Sequence, residues 1–70
     1  MKTEITIAWD GKDIIGRNST GSVLARLVDQ DPIDVSTDSW HVAGYMADAI
    51  GAELEAVDHD GKFIHATISR

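Results

Sequence analysis

The chain contains no cysteine and a single proline among its 70 residues. Without cysteine, disulfides and thiolate zinc sites are excluded. No apolar run approaches the roughly 18 residues that a membrane-spanning helix needs, and the first residues lack a signal-peptide core. A hydrophobic content of 43% argues against disorder. We therefore expect one small folded domain, residues 1–70, located in the cytoplasm.

A second absence concerns positive charge. Between Leu27 and Gly61 there is no Lys or Arg, whereas this stretch carries nine carboxylates, and the whole chain has a net charge of -6. A one-sided field of this kind acts on partners more than on the fold. It repels nucleic acid and attracts basic protein surfaces, and the chain has no basic stripe that would bind phosphates directly. The acids are Asp29, Asp31, Asp34, Asp38, Asp48, Glu53, Glu55, Asp58 and Asp60.

Catalytic and metal-binding motifs are also missing. The sequence has no nucleophile elbow and no P-loop. It also has no pair of catalytic carboxylates with neighbouring residues that would position them. The segment 58–61 hints at a calcium loop, but with Gly61 at the sixth position the first position is Ala56 and the closing Glu is absent. We expect His65 to lie beside Glu55 as a cross-strand pair rather than to hold a metal. The prediction is a non-enzyme with no catalytic residue, no metal site and no cofactor.

The N-terminal segment is typical of a β-hairpin. Residues 3–9 alternate apolar and polar side chains, Asp10-Gly11 is a strong turn signal, and a returning strand should end near Arg17. Two registers stay open: a two-residue loop with Ile7 opposite Ile14, or a three-residue loop with Ile5 opposite Ile15.

Two helices are predicted after this hairpin. Asn18, Ser19 and Thr20 are candidate N-caps for a first helix from about Gly21 to Asp29, which Asp31-Pro32 would stop. Its apolar stripe would be Val23, Leu24, Leu27 and Val28. The second helix has cap candidates in Ser36, Thr37 and Asp38 and should end at Gly51 in the left-handed conformation. We expect Trp40, Ala43, Met46, Ala47 and Ile50 on its buried face, and His41, Tyr45 and Asp48 away from it.

The C-terminal segment predicts a second hairpin, closed by a three-residue loop at 59–61 with Asp58 opposite Lys62. Its inner pairs would be Ala52 with Ile68, Leu54 with Ala66, and Ala56 with Ile64; its outer pairs would be Glu53 with Thr67, Glu55 with His65, and Val57 with Phe63. The predicted fold is α+β, with element order ββααββ: an antiparallel sheet of two hairpins and two helices packed on one face. The strand order stays open.

The stretch from Ile5 to Arg17, followed by a Ser/Gly-rich cap and a predicted helix, resembles the opening hairpin of small phage-encoded anti-CRISPR inhibitors of multisubunit effector complexes. The resemblance implies a stoichiometric inhibitor that covers Lys/Arg-rich surfaces meant for DNA or guide RNA. Carboxylates would then take the place of phosphates. Because that group shares no single sequence signature, no functional residue is carried over.

Charge and resemblance together lead to one functional hypothesis and one alternative. The hypothesis is a non-enzymatic inhibitor that binds a basic nucleic-acid-binding protein or complex, in the host cytoplasm if the chain is phage-encoded. The alternative is an oligomerising structural or accessory module of a phage or mobile element, and a homodimer fits either. The predicted partner-binding residues are Asp29, Asp31, Asp34, Asp38, Tyr45, Asp48, Glu53, Glu55, Asp58 and Asp60.

Overall fold

The computed structural model describes residues 2–70 as a five-stranded antiparallel sheet with one helix on one face. The strand order is β3-β2-β1-β5-β4. The expected ββααββ arrangement is therefore wrong, because the structure has three strands before a single helix. No helix in the described part of the chain is long and apolar enough to cross a bilayer. The elements are β1 (Lys2–Trp9), β2 (Ile14–Arg17), β3 (Val23–Leu27), α1 (Val35–Ile50), β4 (Glu53–His59) and β5 (Ile64–Ser69).

The segment predicted as the first helix is the edge strand β3. Asn18 does not cap a helix: its side-chain oxygen accepts hydrogen bonds from the amides of Thr20 (3.0 Å) and Ser22 (2.9 Å) and closes a turn. The register of β3 against β2 shifts beside Arg17, so that Leu24 is an extra residue in a bulge. The adjacent apolar residues Val23 and Leu24 suggested a helical stripe. They fit a strand because the bulge interrupts the strict alternation of its side chains.

The helix begins earlier than the predicted caps. Asp34 is the N-cap: its carboxylate accepts a hydrogen bond from the amide of Ser36 (3.0 Å), and its own amide donates to the Asp38 carboxylate (3.3 Å). The prediction that 36–38 supply the cap is therefore wrong. Gly51 ends the helix at a φ of 79°, which confirms the predicted left-handed C-terminus.

The core lies between α1 and one face of the sheet. Met46 is fully buried against the sheet, where Gly16 leaves room for it: a Cβ on Gly16 would lie 3.2 Å from the Met46 sulfur. Burial of Ala43, Met46 and Ala47 confirms most of the predicted face, but Trp40 is 61% exposed and the prediction for it is wrong. The buried residues are Ile5, Ile7, Ile14, Val35, Val42, Ala43, Met46, Ala47, Ile64, Ala66 and Ile68.

Both hairpins turn through the same structure. The Asp10 carboxylate accepts hydrogen bonds from the amides of Lys12 (2.9 Å) and Asp13 (2.7 Å). The Asp60 carboxylate accepts them from the amides of Lys62 (3.0 Å) and Phe63 (2.8 Å). Since β1 and β5 are antiparallel neighbours, the two turns lie at the same end of the sheet.

These four-residue turns overturn the predicted registers. In the first hairpin Trp9 pairs with Ile14 and Ile7 with Gly16, so both registers left open are wrong. In the second, the strand ends at His59 opposite Ile64, and a bulge interrupts β4 at Glu55. The bulge reverses the alternation of β4, because its extra residue shifts every later side chain to the other face. The observed pairs are Leu54 with Ile68, Ala56 with Thr67, Val57 with Ala66, and Asp58 with His65.

Candidate functional site

The structure places the predicted partner-binding residues in three regions. The first is the turn end of the sheet, with Asp29, Asp34 and Asp60. The second is the edge strand β4, with Glu53, Glu55 and Asp58. The third surrounds α1 and holds Asp31, Asp38, Tyr45 and Asp48.

Asp31, Asp38 and Tyr45 line one cleft between α1 and the strands β2 and β3. The cleft has a volume of about 310 Å³, and Ile14 and Leu27 contribute apolar surface to it. Asp31 comes from the connection before the helix and Asp38 from its first turn, where the Asp38 carboxylate accepts a hydrogen bond from the amide of Asp34 (3.3 Å). Two carboxylates and a phenol thus border an apolar cleft.

A second groove adjoins this cleft on the outer face of α1. Its volume is about 300 Å³. Trp40 and Tyr45 line it, and each of these residues is 61% exposed. His41 and Tyr45 line both the cleft and the groove, so the two form one surface. We name this surface the helix-face site; it consists of Asp31, Asp38, Trp40, His41, Gly44, Tyr45 and Asp48.

The negative charge of the helix-face site is not neutralised within the described part of the chain. Among residues 2–70, the carboxylates of Asp31, Asp38 and Asp48 form no salt bridge. The contacts of the other predicted acids lie elsewhere: Lys12 forms a salt bridge with Asp29 at 3.7 Å, and the ring of His65 is hydrogen-bonded to the Asp60 carboxylate at 3.2 Å. The helix-face site therefore presents carboxylates without a basic partner in residues 2–70 beside exposed aromatic rings.

Two carboxylates at the turn end of the sheet, those of Asp34 and Asp60, stabilise the local backbone. Hydrogen bonds from the amides of Phe63 and Lys62, and from the ring of His65, lower the pKa of Asp60 to about 2. The hydroxyl and amide of Ser36 lower the pKa of the Asp34 carboxyl. Both groups stay ionised far below neutral pH and stabilise a turn and a helix N-terminus.

The edge strand β4 directs part of its charge to the opposite side of the sheet. Asp58 pairs with His65, which alternates with the buried Ile64 and Ala66 and so faces away from the helix. Asp58 and Glu4 line a shallow depression of about 400 Å³ on this uncovered face. The predicted pairing of Glu55 with His65 is wrong, because Glu55 occupies the bulge.

Sequence reasoning missed Trp40, His41 and Gly44 as members of the site. A signal for them was present: Trp40, Gly44 and Asp48 follow one another at intervals of four residues and so share one row of the helix. Asp48 was predicted to face solvent, and because Trp40 lies on the same row of the helix, Trp40 should have been predicted to face solvent too.

No group of three or more His, Cys, Asp or Glu residues within 2–70 is placed to hold a metal ion. The chain matches no family model, no curated protein and no solved structure. Inferences about its function therefore depend on the geometry and charge described above, and the resemblance to anti-CRISPR inhibitors stays a prediction.

Proposed function

We propose that the protein is a non-enzymatic inhibitor that binds the Lys/Arg-rich surface of a nucleic-acid-binding protein or complex and excludes its nucleic acid. The observation that carries this proposal is the helix-face site, where carboxylates that form no salt bridge within residues 2–70 lie beside two exposed aromatic side chains. Tyr and Trp are enriched among the residues that dominate binding energy at protein interfaces. Carboxylates beside them select a basic partner.

The two kinds of side chain act at different stages of binding. The net charge of -6 steers the protein towards a basic groove and raises the association rate. Screening limits that steering, since the Debye length is about 8 Å at physiological ionic strength. Once the surfaces meet, Trp40 and Tyr45 bury apolar area and slow dissociation. A CRISPR effector complex is the specific target that the opening-hairpin resemblance implies.

Two matched triple variants test the proposal. Asp31→Asn, Asp38→Asn and Asp48→Asn together remove three charges from the helix-face site. Glu53→Gln, Glu55→Gln and Asp58→Asn remove three charges from β4. Wild type and both variants are used to capture proteins from a bacterial lysate at moderate salt, and affinity is then measured with the purified partner.

We expect the helix-face variant to lose most of its affinity for a nucleic-acid-binding protein, and DNA to compete with the wild type. The β4 variant should retain more affinity than the helix-face variant while carrying the same net charge. Unchanged affinity of the helix-face variant at low salt would remove the charge mechanism.

A second candidate is the oligomerising module, and the uncovered face of the sheet favours it. Arg17 lies on that face towards the β3 edge, beside Arg26, whose guanidinium already pairs with the Asp13 carboxylate at 3.1 Å, whereas Glu53 and Asp58 lie towards the β4 edge. A twofold axis parallel to the strands would place the basic edge of one copy over the acidic edge of another. Sedimentation equilibrium tests the module: a salt-sensitive dimer at micromolar concentration supports it, and a monomer opposes it.

A further inference from the structure

The groove on the outer face of α1 has a glycine at its centre. Trp40 lies one turn before Gly44 and Asp48 one turn after it, and Tyr45 is its neighbour in the chain. A Cβ built on Gly44 would meet nothing within 4 Å. The packing of the chain itself therefore does not require a glycine here, and its effect is to keep the space between the aromatic rings open.

The lining of this groove has the chemistry that recognises a guanidinium group. Aromatic faces attract cations, and the planar guanidinium stacks on them more readily than an ammonium does. A carboxylate accepts paired hydrogen bonds from the same group. The groove supplies Trp40 and Tyr45 for stacking and Asp48 for pairing, and neither Lys nor Arg lines it. Within residues 2–70, Asp48 forms no salt bridge.

We infer that this groove receives an arginine side chain of the basic partner. The guanidinium enters over Gly44, stacks against Trp40 and Tyr45, and pairs with the carboxylate of Asp48. This inference depends on the proposed function, because it names the group by which the same partner is recognised. It also assigns a binding role to Trp40, which sequence reasoning had placed in the core.

The first test is an NMR titration of the ¹⁵N-labelled full chain at low salt. The probe is an alanine-based helical peptide with three arginines along one face, and its control is the same peptide with citrulline in place of arginine. The two tryptophan indoles serve as reporters, since Trp9 donates its indole N–H to the carbonyl of Gln30 (2.9 Å) and does not line the groove. We expect the Trp40 indole signal to shift saturably with the arginine peptide, and the Trp9 signal to stay in place.

The second test uses variants of exposed helix positions, with folding checked by circular dichroism. Trp40→Ala and Gly44→Gln should each weaken binding of the arginine peptide about tenfold, the usual loss when one interface anchor is removed or blocked. Ala49→Gln places the same side chain at an exposed position of α1 outside the groove and should bind like the wild type.

The outcomes separate this inference from the proposed function. If Trp40→Ala and Gly44→Gln bind the arginine peptide as well as the wild type, whereas Asp31→Asn with Asp38→Asn binds it weakly, the groove is not the arginine site and the acidic mechanism stands. Equal binding of the arginine and citrulline peptides would overturn the inference as well. Absence of saturable binding by the wild type at low salt would overturn both proposals.

Discussion

Replacing Gly44 with alanine should make the protein more stable. Gly44 lies in the interior of α1, which runs from Val35 to Ile50, and a Cβ there meets nothing within 4 Å. Glycine in a helix interior costs about 1 kcal/mol relative to alanine, because it loses more backbone freedom on folding. No packing or strain opposes the gain here, so we expect Gly44→Ala to raise the free energy of unfolding by about 1 kcal/mol.

For a domain of this size, a gain of about 1 kcal/mol corresponds to a rise in Tm of roughly 4–8 °C. Urea and thermal unfolding followed by far-UV circular dichroism would measure both quantities. The matched control is Gly51→Ala at the end of the same helix, where the φ of 79° disfavours a side chain. It should lower stability by about 1 kcal/mol. If Gly44→Ala leaves Tm unchanged or lowers it, the space over Gly44 is not open in the way the structure shows.

Three further predictions concern the fold. Asp13→Ala should cost about 2 kcal/mol in urea unfolding, because the buried carboxylate of Asp13 accepts hydrogen bonds from Arg26 (3.1 Å) and from the amide of Asp29 (3.0 Å); a loss below a few tenths would contradict this role. The pKa of Asp60 is lowered to about 2 from 3.8, so its stabilisation is complete above pH 3.8 and is lost as pH falls through 2. Urea unfolding across that range should show a smaller fall for Asp60→Asn than for the wild type, and equal falls would contradict the assignment. Trp9→Phe should cost about 1 kcal/mol in thermal unfolding through loss of its indole hydrogen bond, and an unchanged Tm would show that this bond contributes nothing.

The sequence predicted local backbone conformation correctly where it depends on a single residue type, such as glycine. Gly51 was predicted as the left-handed helix end, and it adopts that conformation. On the buried face of α1, Ala43, Met46 and Ala47 were predicted, Val35 and Val42 were missed, and Trp40 was placed there wrongly from its helical spacing with Ala43 and Ala47. Helical spacing alone therefore does not show where the buried stripe ends, and Trp40 in the second turn lies beyond it.

Features that depend on distant pairing could not be read from local pattern. The apolar spacing of residues 23–28 fits a helix as well as a bulged strand, and the choice is made by pairing with β2. Likewise, the bulge at Glu55 reverses which side chains of β4 face the core. The charge run also does not show which acids gather at the helix-face site, since that depends on how α1 and the segment before it pack on the sheet. Asp31 and Asp48 meet Tyr45 there, whereas Asp58 lies on the other face of the sheet.

Salt dependence of partner binding tests the central claim most directly. The dissociation constant for the captured partner should be measured from low to high NaCl for the wild type and for the variant with Asp31→Asn, Asp38→Asn and Asp48→Asn. We predict that the dissociation constant of the wild type rises with NaCl concentration. The variant should bind more weakly at low salt, and its dissociation constant should change less with NaCl, since three of the charges that steer association are gone. Coincident curves for the two proteins would show that the carboxylates of the helix-face site do not bind the partner.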